Sequence, residues 1–216
     1  MGAFRKRFPA GIVLSFLAIF FPYYIHAQIH TQKGADALVL YREGRYKEAT
    51  SVCLNEIERM PRNIDSYVVL TWALLADERY QEAADWIVKG RAVSQYDPRL
   101  IESHAQALYH LGRNEESLHL FEEYIAYAPN GTKVSGVYYH IGELYLRMAK
   151  YRHADIAFST AIRLEPLNSV WWTRLAYSRE QAKEYRAALE AYSSALQLNK
   201  NSTDAQKGYE RVLHRF

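Results

Sequence analysis

A small residue three places after an aromatic or similar one recurs along this chain: Tyr46 and Ala49, Tyr80 and Ala83, Asn114 and Ser117, Tyr151 and Ala154, Tyr185 and Ala188. Four places beyond each small residue stands a bulkier apolar one, in turn Cys53, Ile87, Phe121, Phe158 and Tyr192. A step of four returns to the same face of an α-helix, so each copy predicts a helix with a small and a large residue on one side. Successive small residues lie 34, 34, 37 and 34 positions apart. A fixed period of this length marks an array of stacked units.

Pro61, Pro129 and Pro166 stand eight places past the bulky residue in three copies; Gln95 and Lys200 occupy that position in the others, with Pro98 slightly late. Each copy therefore reads as two antiparallel helices joined by a short turn, marked in the first and third by Gly44 and Gly112. Ala49, Ala83 and Gly142 let two helix backbones approach, and the bulky residues fill the space between helices. One pair cannot bury its apolar face alone, so neighbours must stack. Thr132, Lys133 and Val134, after the turn signal Pro129-Asn130-Gly131, lengthen the connection between the third and fourth copies, where a bend is expected.

This pattern resembles the tetratricopeptide repeat, W-x2-L-G-x2-Y, then A-x3-F, then P. The fourth copy carries it most fully, with Tyr138, Ile141, Gly142, Tyr145, Tyr151, Ala154, Phe158, Ala161 and Pro166. The fifth has Trp172, Leu175, Ala176, Tyr185, Ala188, Tyr192 and Ala195, with Arg179 in place of the first helix's aromatic. The first is weakest, with Lys33 and Asp36 where Trp and Leu are usual. The resemblance implies an all-α fold, a right-handed superhelical array (α-solenoid) of about five helix pairs over residues 30–63, 64–97, 98–131, 135–168 and 169–202. Residues 203–216 read as a capping helix, its start capped by Asp204 or Thr203 and its apolar stripe made of Tyr209, Val212, Leu213 and Phe216. Most of the 18 tyrosines, and Trp172, then become core residues with a polar tip near the surface.

The first 27 residues follow a different logic. Arg5, Lys6 and Arg7 precede an apolar run from Gly11 to Phe21, Pro22 breaks it, and Ala27 ends a signal-peptidase-like site. That order is the layout of a secretory signal. As a helix the run would span only about 16 Å, short of the roughly 30 Å hydrocarbon core. The competing arrangement is an uncleaved inner-membrane anchor over residues 8–25, through which the protein would associate with a membrane. No cysteine near Ala27 supports a lipoprotein. The mature protein is thus expected to be exported, periplasmic or secreted.

Removing the leader takes three basic residues from 27 and leaves 24, against 24 acidic ones. A neutral chain lacks the electrostatic term that dominates nucleic-acid affinity, so no nucleic-acid partner is expected. Cys53 sits at a core position and reads as a small buried hydrophobe. The eight histidines show no H-E-x-x-H pattern, His104 falls on a core position, and no phosphate-cradling or nucleophile-elbow motif occurs. No catalytic residue, metal or cofactor is expected.

In the family it resembles, the first helix of each pair lines a concave groove. That places Leu38, Tyr41 and Arg42 there, then Val68, Trp72 and Leu75, then Glu102, Gln106, Tyr109 and His110. The fourth copy adds Tyr139, Glu143, Leu146 and Arg147, and the fifth Thr173, Arg174, Tyr177 and Glu180. Aromatic and arginine side chains are the usual energetic centres of interfaces, so the candidate binding residues are Tyr41, Arg42, Trp72, Gln106, Tyr109, Tyr139, Glu143, Arg147, Arg174 and Tyr177. The lysine–asparagine clamp by which some relatives grip a terminal carboxylate is missing, since Gly34, Leu38, Val68 and Arg99 hold those positions. The expected function is a protein–protein interaction scaffold or adaptor outside the cytoplasm, its partners proteins or peptide segments. The alternatives are a ligand-binding or transporter-associated component and a cell-envelope assembly factor.

Overall fold

The computed structural model describes Gly2 and residues 36–215. The leader apart from Gly2, His30, the first residues of the first copy and Phe216 lie outside the described residues. Eleven helices and no strand occur among those described: α1 (Ala37–Arg42), α2 (Tyr46–Arg59), α3 (Ile64–Ala76), α4 (Tyr80–Val93), α5 (Pro98–His110), α6 (Asn114–Tyr127), α7 (Val134–Arg147), α8 (Tyr151–Leu164), α9 (Ser169–Gln181), α10 (Tyr185–Leu198) and α11 (Thr203–Leu213). Odd- and even-numbered helices alternate as antiparallel pairs, and each pair leans on the next.

The helix ends show why the period holds. Asp36, Asp97, Asn168 and Ser202 cap α1, α5, α9 and α11, each side chain accepting from a backbone N–H that has no intrahelical partner. Pro98 is not a late terminator; it occupies the first turn of α5, where its missing N–H costs nothing. Within each pair the first helix closes on a residue in the left-handed region: Gly44, Glu78, Gly112, Ala149 and Lys183. The next N–H then reaches back across the turn, from Arg45 to Leu40 O, Arg79 to Leu74 O, Arg113 to Leu108 O, Lys150 to Tyr145 O and Glu184 to Arg179 O, at 2.8–2.9 Å. Only two of the five copies use glycine there, so the turn is imposed on three residues that do not favour it.

The small and bulky positions are buried in every copy, from Ala49 and Cys53 to Ala188 and Tyr192. Ser117, the one polar small residue, satisfies its hydroxyl by donating to Ala105 O at 2.7 Å. Gly142 lies flat against the Phe158 ring, and a Cβ there would come within 2.5 Å of a ring carbon. Burying a ring such as Phe121 or Phe158 contributes roughly 1.5–3 kcal/mol, and each ring is covered partly by its own pair and partly by the next.

Several first helices also pack on one another, α1 on α3, α3 on α5 and α9 on α11, and no two second helices of successive pairs pack as closely. In a curved row the closer side is the inner side, so the odd-numbered helices line the concave face. The inserted residues are absorbed differently from expectation. Val134 is helical and buried, opening α7 one residue early, and of the three inserted residues only Thr132 and Lys133 remain in the connection. Packing across this junction, α6 on α7, is the sparsest between neighbouring pairs.

The last helix also departs from its expected form. Ser202, not Asp204 or Thr203, is the capping residue, with its hydroxyl 3.4 Å from Ala205 N. Ala205, Gly208 and Val212 form the buried face, while Leu213 is exposed. Gly208 is required because the Tyr192 ring fills the place of a side chain. Arg211 reaches back to Glu180 on α9 at 2.6 Å, and Tyr192 Oη donates to the same carboxylate at 2.8 Å. That helix covers the apolar end of the fifth pair.

Candidate functional site

The floor of the concave face carries two groups of aromatic rings in contact. Tyr41 on α1 meets Trp72 on α3 with centroids 5.9 Å apart. Farther along, Tyr109 on α5 lies edge-on to His140 at 5.2 Å, and Tyr139 stacks on Trp171 at 5.5 Å. His140 in turn lies parallel to Phe121, 5.4 Å away, so the groove floor is continuous with the core. Burial, with nearby His110 and Arg147, pushes the His140 imidazole down to about 4, and the ring is neutral at ordinary pH. Burial pushes the Tyr139 phenol up to about 12.

Charged groups sit on this floor in two ways. Arg147 lays its guanidinium over the Tyr109 ring, 3.6 Å from the centroid, and donates to Tyr109 O at 2.7 Å. Arg174 donates to both oxygens of Glu143, one of them at 2.6 Å, and stands 5.5 Å from the Tyr177 ring. Burial works most strongly on Arg174 and against its charge, but the hydrogen bonds and negative charge of Glu143, with Tyr139 and Tyr177 nearby, together outweigh it and hold the guanidinium protonated more firmly than usual.

Between α1, α3 and α5 the groove deepens into a pocket of about 360 Å³, lined by Tyr41, Trp72, Leu75, Glu102, Gln106 and His110 among others. Lys133, from the inserted connection, completes its rim. Glu102 is 6% exposed and accepts from the Gln106 amide one turn away. Burial raises the Glu102 carboxyl above its usual range, partly offset by Lys133 acting through space and by Gln106.

Three of the ten candidate residues, Tyr41, Trp72 and Gln106, are brought together around the pocket. Arg42 is exposed at the end of α1. Tyr109 and Arg147 form one stacked unit; Glu143 and Arg174 are each other's partners and bridge α7 to α9, with Tyr177 beside them. Tyr139 is half-buried against Trp171 and Phe158, so it supports the floor more than it meets solvent. Val68, projected onto the groove, is instead buried in the core. Trp172 packs partly buried against the core of the last copies, its indole N–H donating to Pro166 O at 2.9 Å, and Trp171 beside it is buried as well.

Two features of the site escape sequence reasoning. The place of Lys133 depends on how the insertion folds, which no local signal states. The Glu102–Gln106 contact has a signal, since carboxylate and amide four apart on a helix meet, but nothing local says that Glu102 is buried. Away from the groove, a depression of about 500 Å³ between α4, α5 and α6 contains His104, which burial and nearby Arg91 and Arg113 push down to about 4. Among the described residues no cluster of three or more His, Cys, Asp or Glu side chains is arranged to hold a metal ion, and no helix is long and apolar enough to cross a membrane.

Comparison with known proteins agrees with this fold. The Tetratricopeptide repeat family model matches residues 135–166. Anaphase-promoting complex subunit 3 of Schizosaccharomyces pombe is 25% identical over 157 residues, 73% of this chain but 23% of its own length. The chain thus spans about a quarter of the curated relative it matches. Among solved structures, pilF of Pseudomonas aeruginosa superposes with a TM-score of 0.73 at 19% identity, over 83% of this chain and 81% of that one. YrrB, described as a TPR protein with an unusual peptide-binding site, gives 0.69 at 14% identity, over 81% and 88%. The Cut9–Hcn1 hetero-tetramer of the APC/C gives 0.71 at 16% identity, over 82% and 35%. With its helix pairs in register, this chain is an all-helical repeat array, one pair of which, residues 135–166, matches the tetratricopeptide repeat itself.

Proposed function

We propose that this protein is a non-catalytic scaffold or adaptor outside the cytoplasm, holding segments of partner proteins in the groove of its first helices. The observation that carries the proposal is the concave face itself. Rigid aromatic rings form its floor, the guanidinium groups of Arg42, Arg147 and Arg174 edge it, and a pocket of about 360 Å³ opens between three successive helices. Such rings give large contact area at little entropic cost, and arginine forks suit carboxylates and backbone carbonyls. YrrB, which shares the fold, has a peptide-binding site by its own description. Support for export is confined to the sequence, where the basic, apolar and small-residue parts of residues 1–27 stand in signal order.

Two experiments test these points separately. A photo-crosslinking amino acid is placed at Leu75, in the groove pocket, or at Val88, on the outer side of α4. Adducts with a partner protein are expected from position 75 and not from 88; the reverse would overturn the groove assignment. N-terminal sequencing of the protein recovered outside the cytoplasm is expected to begin at Gln28. A chain recovered only in the cytoplasm would end the extracytoplasmic reading.

A further inference from the structure

The pocket at the first three pairs has a chemistry that the remainder of the groove lacks. Tyr41 and Trp72 form one wall, their rings tilted by 40° with centroids 5.9 Å apart, so they make an angled aromatic corner. Glu102, 6% exposed as a residue, also lines the pocket and lies close enough to Tyr41 to perturb its phenol. Gln106 donates one hydrogen bond to the Glu102 carboxylate. A carboxylate has roughly four acceptor positions, so capacity remains. Lys133 acts on it only through space, from an exposed position ahead of α7. Leu75 and Ala76 add an apolar part to the same lining.

From this arrangement we infer that the pocket is a subsite for a cationic side chain, a lysine ammonium or arginine guanidinium, carried by the segment that occupies the groove. The inference rests on the groove reading above and names the chemistry of its ligand. An acidic side chain would meet Glu102 as a like charge buried from water. A purely apolar one would cover that carboxylate without a counter-charge, which is costly. A cation on an apolar stem satisfies all three features at once: the stem lies along Leu75, the charge meets the aromatic faces, and the head reaches Glu102. Lys133 competes for the same carboxylate, so its removal strengthens the site.

The test uses the full-length chain labelled with ¹⁵N, following the Trp72 indole N–H and the Gln106 side-chain amide. The probes are the N-acetyl N-methylamides of lysine, norleucine and glutamate; norleucine has a similar stem without the charge. Saturable shifts with the lysine probe are expected, about tenfold tighter than with norleucine. Glu102→Gln is expected to bring the lysine probe down to the norleucine level, and Lys133→Ala to tighten it about threefold. Thermal melts accompany each variant; Glu102→Gln removes a buried charge and is expected to melt no lower than the parent. Equal binding of lysine and norleucine, tighter binding of glutamate, or no saturable shift with lysine each overturns the subsite. If crosslinking at position 75 persists while the lysine preference fails, the subsite falls and the groove assignment stands. If crosslinking at position 75 also fails, both fall.

Discussion

Arg174→Met would leave the Glu143 carboxylate on the groove floor without its counter-charge. The Glu143 side chain is 12% exposed and the Arg174 side chain 34%, and the pair joins α7 to α9 across the boundary between the fourth and fifth copies. Breaking a fully buried pair by removing one partner costs about 3–5 kcal/mol, most of it from the charge left behind. With a third of Arg174 in water, screening reduces the expected loss to about 2 kcal/mol. Glu143→Leu leaves an arginine that can turn toward solvent, at a cost of about 1 kcal/mol. The double variant removes both charges and fills the space with apolar side chains of similar volume, so it should return to within about 1 kcal/mol of the parent. Urea melts of the four proteins, followed by helical circular dichroism, give the coupling directly, expected near 2 kcal/mol. Two single changes that add to the double within about 0.5 kcal/mol would show the pair to be a screened surface contact, and the account of the groove floor would be wrong. The double variant also removes two candidate binding residues while keeping the fold, so crosslinking with it separates recognition from stability.

Other perturbations follow from single positions. Gly142→Ala gains about 1 kcal/mol of helix propensity yet drives a methyl into the fully buried Phe158 ring, for a net loss of about 1–2 kcal/mol in urea melts; a stabilised variant would contradict the close packing. Ala149→Gly, the opposite exchange, relieves a left-handed backbone with φ of 56° and should add about 0.5 kcal/mol, whereas a loss would mean that the turn is unstrained. His140 and His104 are held neutral by burial, with pKa values lowered from 6.5 to about 4. A histidine with a depressed folded pKa contributes stability above its unfolded pKa and loses it as the folded value is approached. Melting temperature should therefore fall as pH drops from about 6.5 toward 4, His140 contributing roughly 3 kcal/mol, and His140→Phe should flatten that slope. An unchanged slope in that variant would remove His140 from the acid response.

Much of this molecule is written along the chain. The beat of small and bulky residues gives the helices, their pairing and the stacking, because a helix pair with one oily side has no other way to cover it. The ring that covers Gly142 belongs to the same copy, and Phe158 sits where the period puts it. Local chemistry settles three of the five first-helix starts as well, through Asp36, Asp97 and Asn168. Three of the five first-helix turns, at Glu78, Ala149 and Lys183, carry no such mark; there the stack dictates the backbone and the residue tolerates it.

The groove is legible only in outline. Periodicity assigns a face to Trp72, Glu102 or Arg174, but not the depth at which each lies or which neighbour it meets. Trp171 and Trp172 are adjacent, and only packing against Tyr139 decides that the first is buried. Glu143 and Arg174 are 31 residues apart and Lys133 is the same distance from Glu102, so their partners come from another copy in the stack. The physical reason is one of range. Hydrogen bonding and side-chain spacing within a helix depend on the next few residues and can be read in order. Burial, charge pairing and the shape of a pocket depend on how successive pairs rotate against each other, which exists only once the array has formed.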